Sequence, residues 1–163
     1  MAVLGERGGI PKGVLVIVTG SDAKGIGIEL CTNPKVRKLT FTGSTEVGRI
    51  LMKQCAHDIK KLSLELGGNA PFIVFDDAHL DKAVEGAIAS KYRNAGQTCV
   101  CANRLYIQSG IYDAFAAKLA EAVSKMKVGD GTEAGVTLGP LINEAAIEKI
   151  EEHIKDAVDK GAE

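Results

Sequence analysis

Segments with strand-like and helix-like patterns alternate along the first part of this chain. Residues 14–18 form a continuous, β-branched apolar run between two glycines, which is typical of a buried strand. A helical pattern over 22–32 ends before a proline, and residues 38–42 alternate as a second strand. Residues 44–56 predict a second helix, and 62–66 predict a third strand. This order predicts an α/β fold with a parallel sheet and right-handed crossovers, an architecture whose strand ends bind nucleotides.

A second alternation begins after Gly67, Gly68 and Pro71, which break the first one. It predicts two more strands and three more helices, namely strands 72–75 and 103–108 and helices 80–92, 111–126 and 143–161, the last capped by Asn143. Two of these helices carry an apolar stripe: Ile111, Phe115, Leu119, Val123 and Met126 in one, and Ile147, Ile150, Ile154 and Val158 in the other. We place a domain boundary near Gly67, which separates residues 1–67 from residues 68–163.

The composition excludes several classes of protein. With 163 residues, 45% of them hydrophobic and 25% charged, the chain has the make-up of a folded globular protein. Its 20 basic and 21 acidic residues are scattered, so we expect no binding to nucleic acid or to an anionic membrane. The sequence contains no apolar run of bilayer length and no secretion signal at its start, which predicts a cytoplasmic protein.

The spacing of cysteine and histidine residues argues against a metal site. His57, His79 and His153 have no ligand-like spacing to a cysteine or to one another. Cys31 and Cys55 fall within helical patterns, so we expect them to be packed side chains. Without a secretion signal, the cysteines are expected to be free thiols rather than a disulfide framework.

Cys99 has a different setting, because it lies in the run NAGQTCVCA that begins at Asn94. Small, loop-forming residues leave a thiol reachable, and Gly96 lets the backbone approach a ligand closely. Upstream, Glu65 ends an apolar strand in the run LELGG, where its carboxylate can act as a base. Each residue alone has a plain interpretation, as a buried thiol or as a solvated carboxylate. Cys99 is therefore a candidate nucleophile and Glu65 a candidate base, and neither role follows from its own residue alone.

Gly43 and Ser44 stand where a predicted strand gives way to a helix. Backbone N–H groups and the helix dipole at such a point favour an anion such as pyrophosphate, and Ser44 adds a hydroxyl donor. The plain alternative is a capped helix start. The segment is not a Walker A loop, because Arg49 and Ile50 replace the lysine and the hydroxyl residue.

Three motifs occur in one order along the chain: FTGSTEVG from Phe41, LELGG from Leu64, and RNAGQTC from Arg93. In this set and spacing the chain resembles the NAD(P)-dependent aldehyde dehydrogenases over essentially its whole length. Within that family, the stretches YRNAGQTCVCANR and NAPFIVFD look most like the members that oxidise succinate semialdehyde. The resemblance implies the end of a Rossmann-like cofactor domain, followed by the start of an α/β catalytic domain.

The resemblance also implies roles for individual residues. Cys99 would be the nucleophile that forms a thiohemiacetal and then a thioester, and Glu65 would activate the hydrolytic water. The residues implied to bind NAD or NADP are Gly20, Gly27, Phe41, Gly43, Ser44, Leu66 and Gly67. Which of the two cofactors is used stays open.

Two further side chains near Cys99 have alternative interpretations. Arg93 could grip the distal carboxylate of a substrate in a two-pronged fashion, or it could be a surface arginine at a helix end. Cys101 could form a reversible disulfide with Cys99 under oxidation, or it could be a passive thiol.

Family members are much longer than this chain, so the resemblance implies an internal piece of a homo-oligomeric enzyme. The family's oxyanion-hole asparagine and its ribose-binding residues would lie outside it. From the resemblance, we expect the full-length parent protein to oxidise succinate semialdehyde or a different aldehyde. The 163-residue chain by itself is expected to be inactive, as a folded or partner-binding fragment.

Overall fold

Two separate parallel sheets of two strands each organise the protein, in a computed structural model that describes residues 1–162. The chain divides between Leu66 and Gly67, and each of the two units has its own sheet and its own buried core. The division lies beside the boundary that the sequence predicts. The assignment of each part to a cofactor domain or a catalytic domain stays a prediction.

The first unit follows the predicted alternation of helices and strands from its second helix onward. Its elements are α1 (Ala2–Arg7), α2 (Ala23–Thr32), β1 (Lys38–Thr42), α3 (Thr45–Cys55) and β2 (Lys61–Glu65), with a 3-10 turn at Ala56–Asp58. β1 and β2 pair in parallel, and Thr42 stands opposite Glu65. The carboxyl ends of both strands therefore meet at one edge of the sheet.

Side-chain caps fix where the two longer helices of this unit begin. Asp22 Oδ1 accepts a hydrogen bond from the Gly25 N–H at 2.8 Å, and Ser44 Oγ accepts one from the Val47 N–H at 3.2 Å. Such caps satisfy N–H groups that have no partner within the helix. The predicted helix starts at 22 and 44 are confirmed as these cap positions.

A small core joins α2 and α3 to the sheet. It consists of Cys31, Leu39, Leu51 and Cys55, which confirms the prediction that both cysteines are packed. Beside it, the Lys60 side chain is only 2% exposed. Its ammonium donates to the carbonyls of Asn33 at 2.7 Å and Val36 at 2.8 Å, which ties the end of α2 to the start of β2.

The predicted strand over residues 14–18 is wrong. This run forms no strand, and its side chains are between 44% and 80% exposed. A buried parallel strand needs neighbouring strands and covering helices, and within residues 1–162 none pairs with this run. The helix α1 was not predicted, because its short sequence has no side-chain cap and buries no residue.

The second unit places two helices against one face of its sheet. Its elements are β3 (Ala70–Val74), α4 (Leu80–Lys91), a 3-10 turn (Arg93–Gly96), β4 (Ala102–Ile107), α5 (Tyr112–Ser124) and α6 (Glu144–Asp159). β3 and β4 pair in parallel, and Val74, Val84, Ala87 and Phe115 form the centre of the core. The apolar stripe predicted for α5 is confirmed as a packed face, with Phe115 fully buried and Ile111 and Leu119 beside it.

Two expectations for this unit need correction. Pro71 does not precede the strand but lies inside β3, at an irregularity in the register between Ala70 and Pro71. A proline, which has no N–H group to donate, is tolerated at such irregularities. Asn143 caps α6 as predicted, yet the apolar stripe of this helix, from Ile147 to Val158, is exposed. Among residues 1–162, no helix is long and apolar enough to cross a membrane.

Candidate active site

The turn after β1 in the first unit has the features of a phosphate-binding turn. The Gly43 N–H donates to the Glu65 carbonyl at 3.0 Å, which holds the turn beside the end of β2. A Cβ atom on Gly43 would lie 2.4 Å from Cζ of Phe41, so any other residue at position 43 would require the Phe41 ring to move. Because Ser44 Oγ accepts the capping bond, its own proton stays free to donate to an anion at the start of α3. These residues therefore fit the phosphate of a dinucleotide, although a plain helix cap has the same geometry.

Three other residues implied to bind the cofactor have packing contacts in the first unit. A Cβ atom on Gly20 would lie 2.9 Å from the Ile26 side chain, and one on Gly27 would lie 3.6 Å from Leu51. Leu66 packs so closely on Gly48 that a Cβ atom there would lie 2.6 Å from its side chain. The atom nearest Gly20 is the flexible end of the Ile26 side chain, so this contact does not require glycine there. Contact of Gly20, Gly27 and Leu66 with a cofactor stays a prediction.

Glu65 and Cys99 belong to different units. Glu65 is the exposed last residue of β2 in the first unit. Gly67 begins the second unit, to which Cys99 also belongs. Their proposed roles as base and nucleophile are therefore argued from the local setting of each residue.

Cys99 follows a run of three residues with left-handed backbone conformation. The φ angles are 51° at Asn94, 55° at Ala95 and 78° at Gly96, and Cys99 itself is exposed. Left-handed conformations in residues other than glycine store strain and cluster at functional sites. The sequence run therefore folds into an accessible turn, as a reactive thiol requires.

Gly68 lies directly against the backbone of Cys99. A Cβ atom at position 68 would be 2.3 Å from the Cys99 carbonyl oxygen, which is closer than any real Cβ contact. The second glycine of the LELGG run is therefore required by the position of the cysteine. This contact within the second unit joins two of the motifs recognised in the sequence.

The other cysteines have settings that do not favour reaction. Cys101 is fully buried, and its thiol donates to the Lys91 carbonyl at 3.7 Å. Burial, with a further contribution from a hydrogen bond involving Cys55, raises the pKa of the Cys31 thiol to about 11. All of these thiols are free, and a disulfide between Cys99 and Cys101 would require Cys101 to leave Lys91. That redox pairing stays a prediction.

Arg93 lines a surface cleft of about 480 Å³ between α4, α5 and the loop that follows α5. Tyr92, Met126 and Leu138 contribute apolar walls, and Lys125 contributes a second cation. Cys99 is not among the residues that line this cleft. The cleft therefore provides no direct link between Arg93 and the thiol.

Sequence reasoning missed several polar side chains that hold the segment around Cys99. Gln97 accepts a hydrogen bond from the Ile142 N–H at 3.1 Å, a contact between residues 45 positions apart. Asn103 bonds to Lys91 and to Gly68, which are also distant in sequence. No periodic pattern predicts such contacts, because they depend on how loops meet. Only the presence of Gln97 in the cysteine motif was a signal.

Comparison with known proteins identifies the family of this chain. The sequence profile described as "Aldehyde dehydrogenase family" matches residues 1–163, and the chain belongs to that family. It is 70% identical over 162 residues to the succinate-semialdehyde dehydrogenase [NADP(+)] of Escherichia coli, covering 99% of this chain and 33% of that protein. It is equally similar, at 70% over 162 residues, to the glutarate-semialdehyde dehydrogenase of Pseudomonas aeruginosa, of which it also covers 33%.

A solved structure has the same fold. The crystal structure of succinate-semialdehyde dehydrogenase from Burkholderia pseudomallei superimposes with a TM-score of 0.95 at 70% identity, covering 99% of this chain and 33% of that one. The predicted α/β, Rossmann-like fold is confirmed by this similarity. The chain spans about a third of the length of the curated relatives that it matches.

Proposed function

We propose that this chain is part of an NAD(P)-dependent aldehyde dehydrogenase that oxidises succinate semialdehyde to succinate. The observation that carries the proposal is Cys99, an exposed thiol that follows three left-handed residues and whose backbone contacts Gly68. Family membership and the names of the relatives support the reaction type.

In the proposed reaction, the thiolate of Cys99 attacks the aldehyde carbon and forms a carbon–sulfur bond. The negative charge moves to the former carbonyl oxygen, which the Cys99 backbone N–H binds. Bound NAD(P) supplies the acceptor for the hydride that leaves this carbon, and a thioester remains on Cys99. Glu65 then takes a proton from water, the water oxygen displaces the sulfur, and the carboxylic acid leaves.

The cofactor would lie at the turn formed by Phe41, Gly43 and Ser44, with Gly20, Gly27, Leu66 and Gly67 nearby. The free proton of Ser44 and the N–H groups at the start of α3 would hold a phosphate. We assign residues 1–67 to the cofactor domain and 68–163 to the catalytic domain. We further infer that the parent protein is a homo-oligomer that acts in the cytoplasm.

The second candidate is oxidation of another aldehyde with a terminal carboxylate. It is favoured by the relative from Pseudomonas aeruginosa, which is named for glutarate semialdehyde and is 70% identical. Both aldehydes share one chemistry, a reactive carbonyl with a distal carboxylate, and differ by one methylene. A single methylene changes binding by only about 1 to 3 kcal/mol, so the two activities are expected to overlap.

A chimera provides the test of the function. This chain replaces the matching third of the Escherichia coli relative, to which it is 70% identical. This hybrid protein, which we call the frame chimera, is then assayed with succinate semialdehyde, glutarate semialdehyde and butanal, each with NAD and with NADP. We expect reduction of the cofactor with both carboxylated aldehydes. A folded chimera that reduces neither cofactor with any aldehyde would refute the proposal.

Arg93 provides a test of the substrate class. In the frame chimera, Arg93→Ala should raise KM for succinate semialdehyde about tenfold to a hundredfold, because a charge-assisted, bidentate contact is lost. KM for butanal should stay unchanged, since butanal has no carboxylate. The matched control is Lys125→Ala, which removes a cation from the same cleft and should affect neither KM. Equal effects of Arg93→Ala on both aldehydes would show that Arg93 does not bind the substrate carboxylate.

A further inference from the structure

Lys91, the last residue of α4, contacts the segment around Cys99 at several points. We call residues 94–101 the Cys99 loop. The Lys91 ammonium donates to Asn103 Oδ1 at 3.0 Å, just beyond the loop. The Lys91 carbonyl oxygen accepts a hydrogen bond from the Cys101 thiol at 3.7 Å. A Cβ atom added to Gly96 would lie 3.3 Å from the same oxygen. The end of α4 therefore contacts the polypeptide on both sides of Cys99.

Asn103 extends these contacts to the glycine that faces Cys99. While its Oδ1 accepts from Lys91, its Nδ2 donates to the Gly68 carbonyl at 3.1 Å. Gly68 in turn lies so close to the Cys99 carbonyl oxygen that a Cβ atom added to Gly68 would be 2.3 Å from that oxygen. A continuous path of contacts thus runs from Lys91 through Asn103 and Gly68 to the backbone of the thiol residue.

Two further hydrogen bonds hold the segments on either side of these contacts. The Ala102 N–H donates to Ser90 Oγ at 3.2 Å, which ties the start of β4 to α4. The Arg104 guanidinium donates to the Asn69 carbonyl at 2.8 Å, which ties β4 to the segment just after Gly68. Because both flanks are held independently, removing Lys91 or Asn103 should loosen the Cys99 loop without detaching β4.

We propose that Lys91 and Asn103 are positioning residues that hold the Cys99 loop against Gly68. This inference rests on the proposed function in one respect: the position of the loop matters for the reaction only because Cys99 is the proposed nucleophile. Neither side chain needs to touch the substrate. Their role is to keep the Cys99 N–H and thiol in one place, because misplacement of reacting groups by about 1 Å can cost about a hundredfold in rate.

The two halves of the Asn103 amide make the proposal specific. Asn103→Asp keeps an acceptor for Lys91 but places a carboxylate oxygen against the Gly68 carbonyl, where a donor is required. It should therefore loosen the loop as much as Asn103→Leu does. Lys91→Met removes the donor to Asn103, whereas Lys91→Arg retains one and should restore the loop.

The chain has built-in reporters for this experiment. Cys101, the last residue of the Cys99 loop, is fully buried, while Cys31 and Cys55 are buried in the first unit and report its general unfolding. Each thiol is alkylated with iodoacetamide in the 163-residue chain, and labelling is measured peptide by peptide by mass spectrometry. Hydrogen exchange of α5, which contains the buried Phe115, reports unfolding of the second unit.

In Asn103→Asp, Asn103→Leu and Lys91→Met, we expect Cys101 to be labelled at least about tenfold faster, since each substitution removes a hydrogen bond made by Asn103. Labelling of Cys31 and Cys55 and exchange of α5 should stay at their original rates, and Lys91→Arg should behave like the unsubstituted chain. Unchanged Cys101 labelling, a parallel rise in α5 exchange, or failure of Lys91→Arg to restore protection would each overturn the proposal.

Activity in the frame chimera forms a separate arm. Lys91→Met and Asn103→Asp should lower kcat at least about tenfold and leave KM for succinate semialdehyde nearly unchanged, with Lys91→Arg restoring kcat. An active chimera whose kcat is unchanged by all of these substitutions would refute the positioning role of Lys91 and Asn103 but not the proposed function. A folded chimera that is inactive with every aldehyde before any substitution would refute the proposed function, while the labelling arm would still decide whether Lys91 and Asn103 hold the loop.

Discussion

Replacing Cys99 by serine in the frame chimera should lower kcat for succinate semialdehyde by at least about a thousandfold. Sulfur at this position supplies both the attacking thiolate and the leaving group of the thioester. A serine hydroxyl ionises far less readily, and its ester would release the acid more slowly. The exposed position of Cys99 means that the substitution leaves no cavity, so a change in folding cannot account for the loss.

Cys101→Ser is the matched control, because it makes the same chemical change two positions away. Its side chain is buried against the Lys91 carbonyl, and a serine hydroxyl can donate to the same atom. This variant should keep most of its activity. Steady-state rates with NADP and far-ultraviolet circular dichroism would compare the two. A Cys99→Ser enzyme as fast as the unsubstituted chimera would end the thiohemiacetal mechanism.

The contrast between residues 14–18 and β1 shows what a local pattern determines. β1 and β2 form where the alternation predicts them, because each can pair with the other within the chain. Residues 14–18 have a stronger apolar pattern, yet they form no strand. Strand formation depends on neighbouring strands as well as on composition. Because no strand among residues 1–162 pairs with this run, its own sequence predicts its structure wrongly.

The candidate site shows a similar division. Cys99, Glu65, Gly43 and Ser44 could be predicted as site residues from the sequence because their motifs are local, and short motifs carry their own turn chemistry. The contacts made by Lys91 and Asn103 were not found, since they join positions that meet only after folding. The sequence also could not predict why position 68 requires glycine, because the atom that excludes a side chain there belongs to Cys99.

Gly68→Ala is the substitution expected to have the second largest effect. The added methyl group would lie 2.3 Å from the Cys99 carbonyl oxygen and 3.5 Å from its carbon. Both atoms belong to the backbone, so the overlap cannot be relieved by rotating a side chain. We expect a loss of about 1 to 3 kcal/mol in the stability of the second unit, as for other overpacked sites. Because Cys99 must move, kcat in the frame chimera should also fall about a hundredfold.

Gly131→Ala is the control for Gly68→Ala, since no atom lies within 4 Å of its added methyl group and its backbone needs no left-handed conformation. This change should leave kcat intact and stabilise the chain slightly, by about 0.4 to 1 kcal/mol, through the unfolded state. Hydrogen exchange of α5 measures stability, and steady-state kinetics measure the rate. If Gly68→Ala matched Gly131→Ala in both, Gly68 would not hold the thiol in place. The path from Lys91 through Asn103 would then end at a residue of no consequence for catalysis.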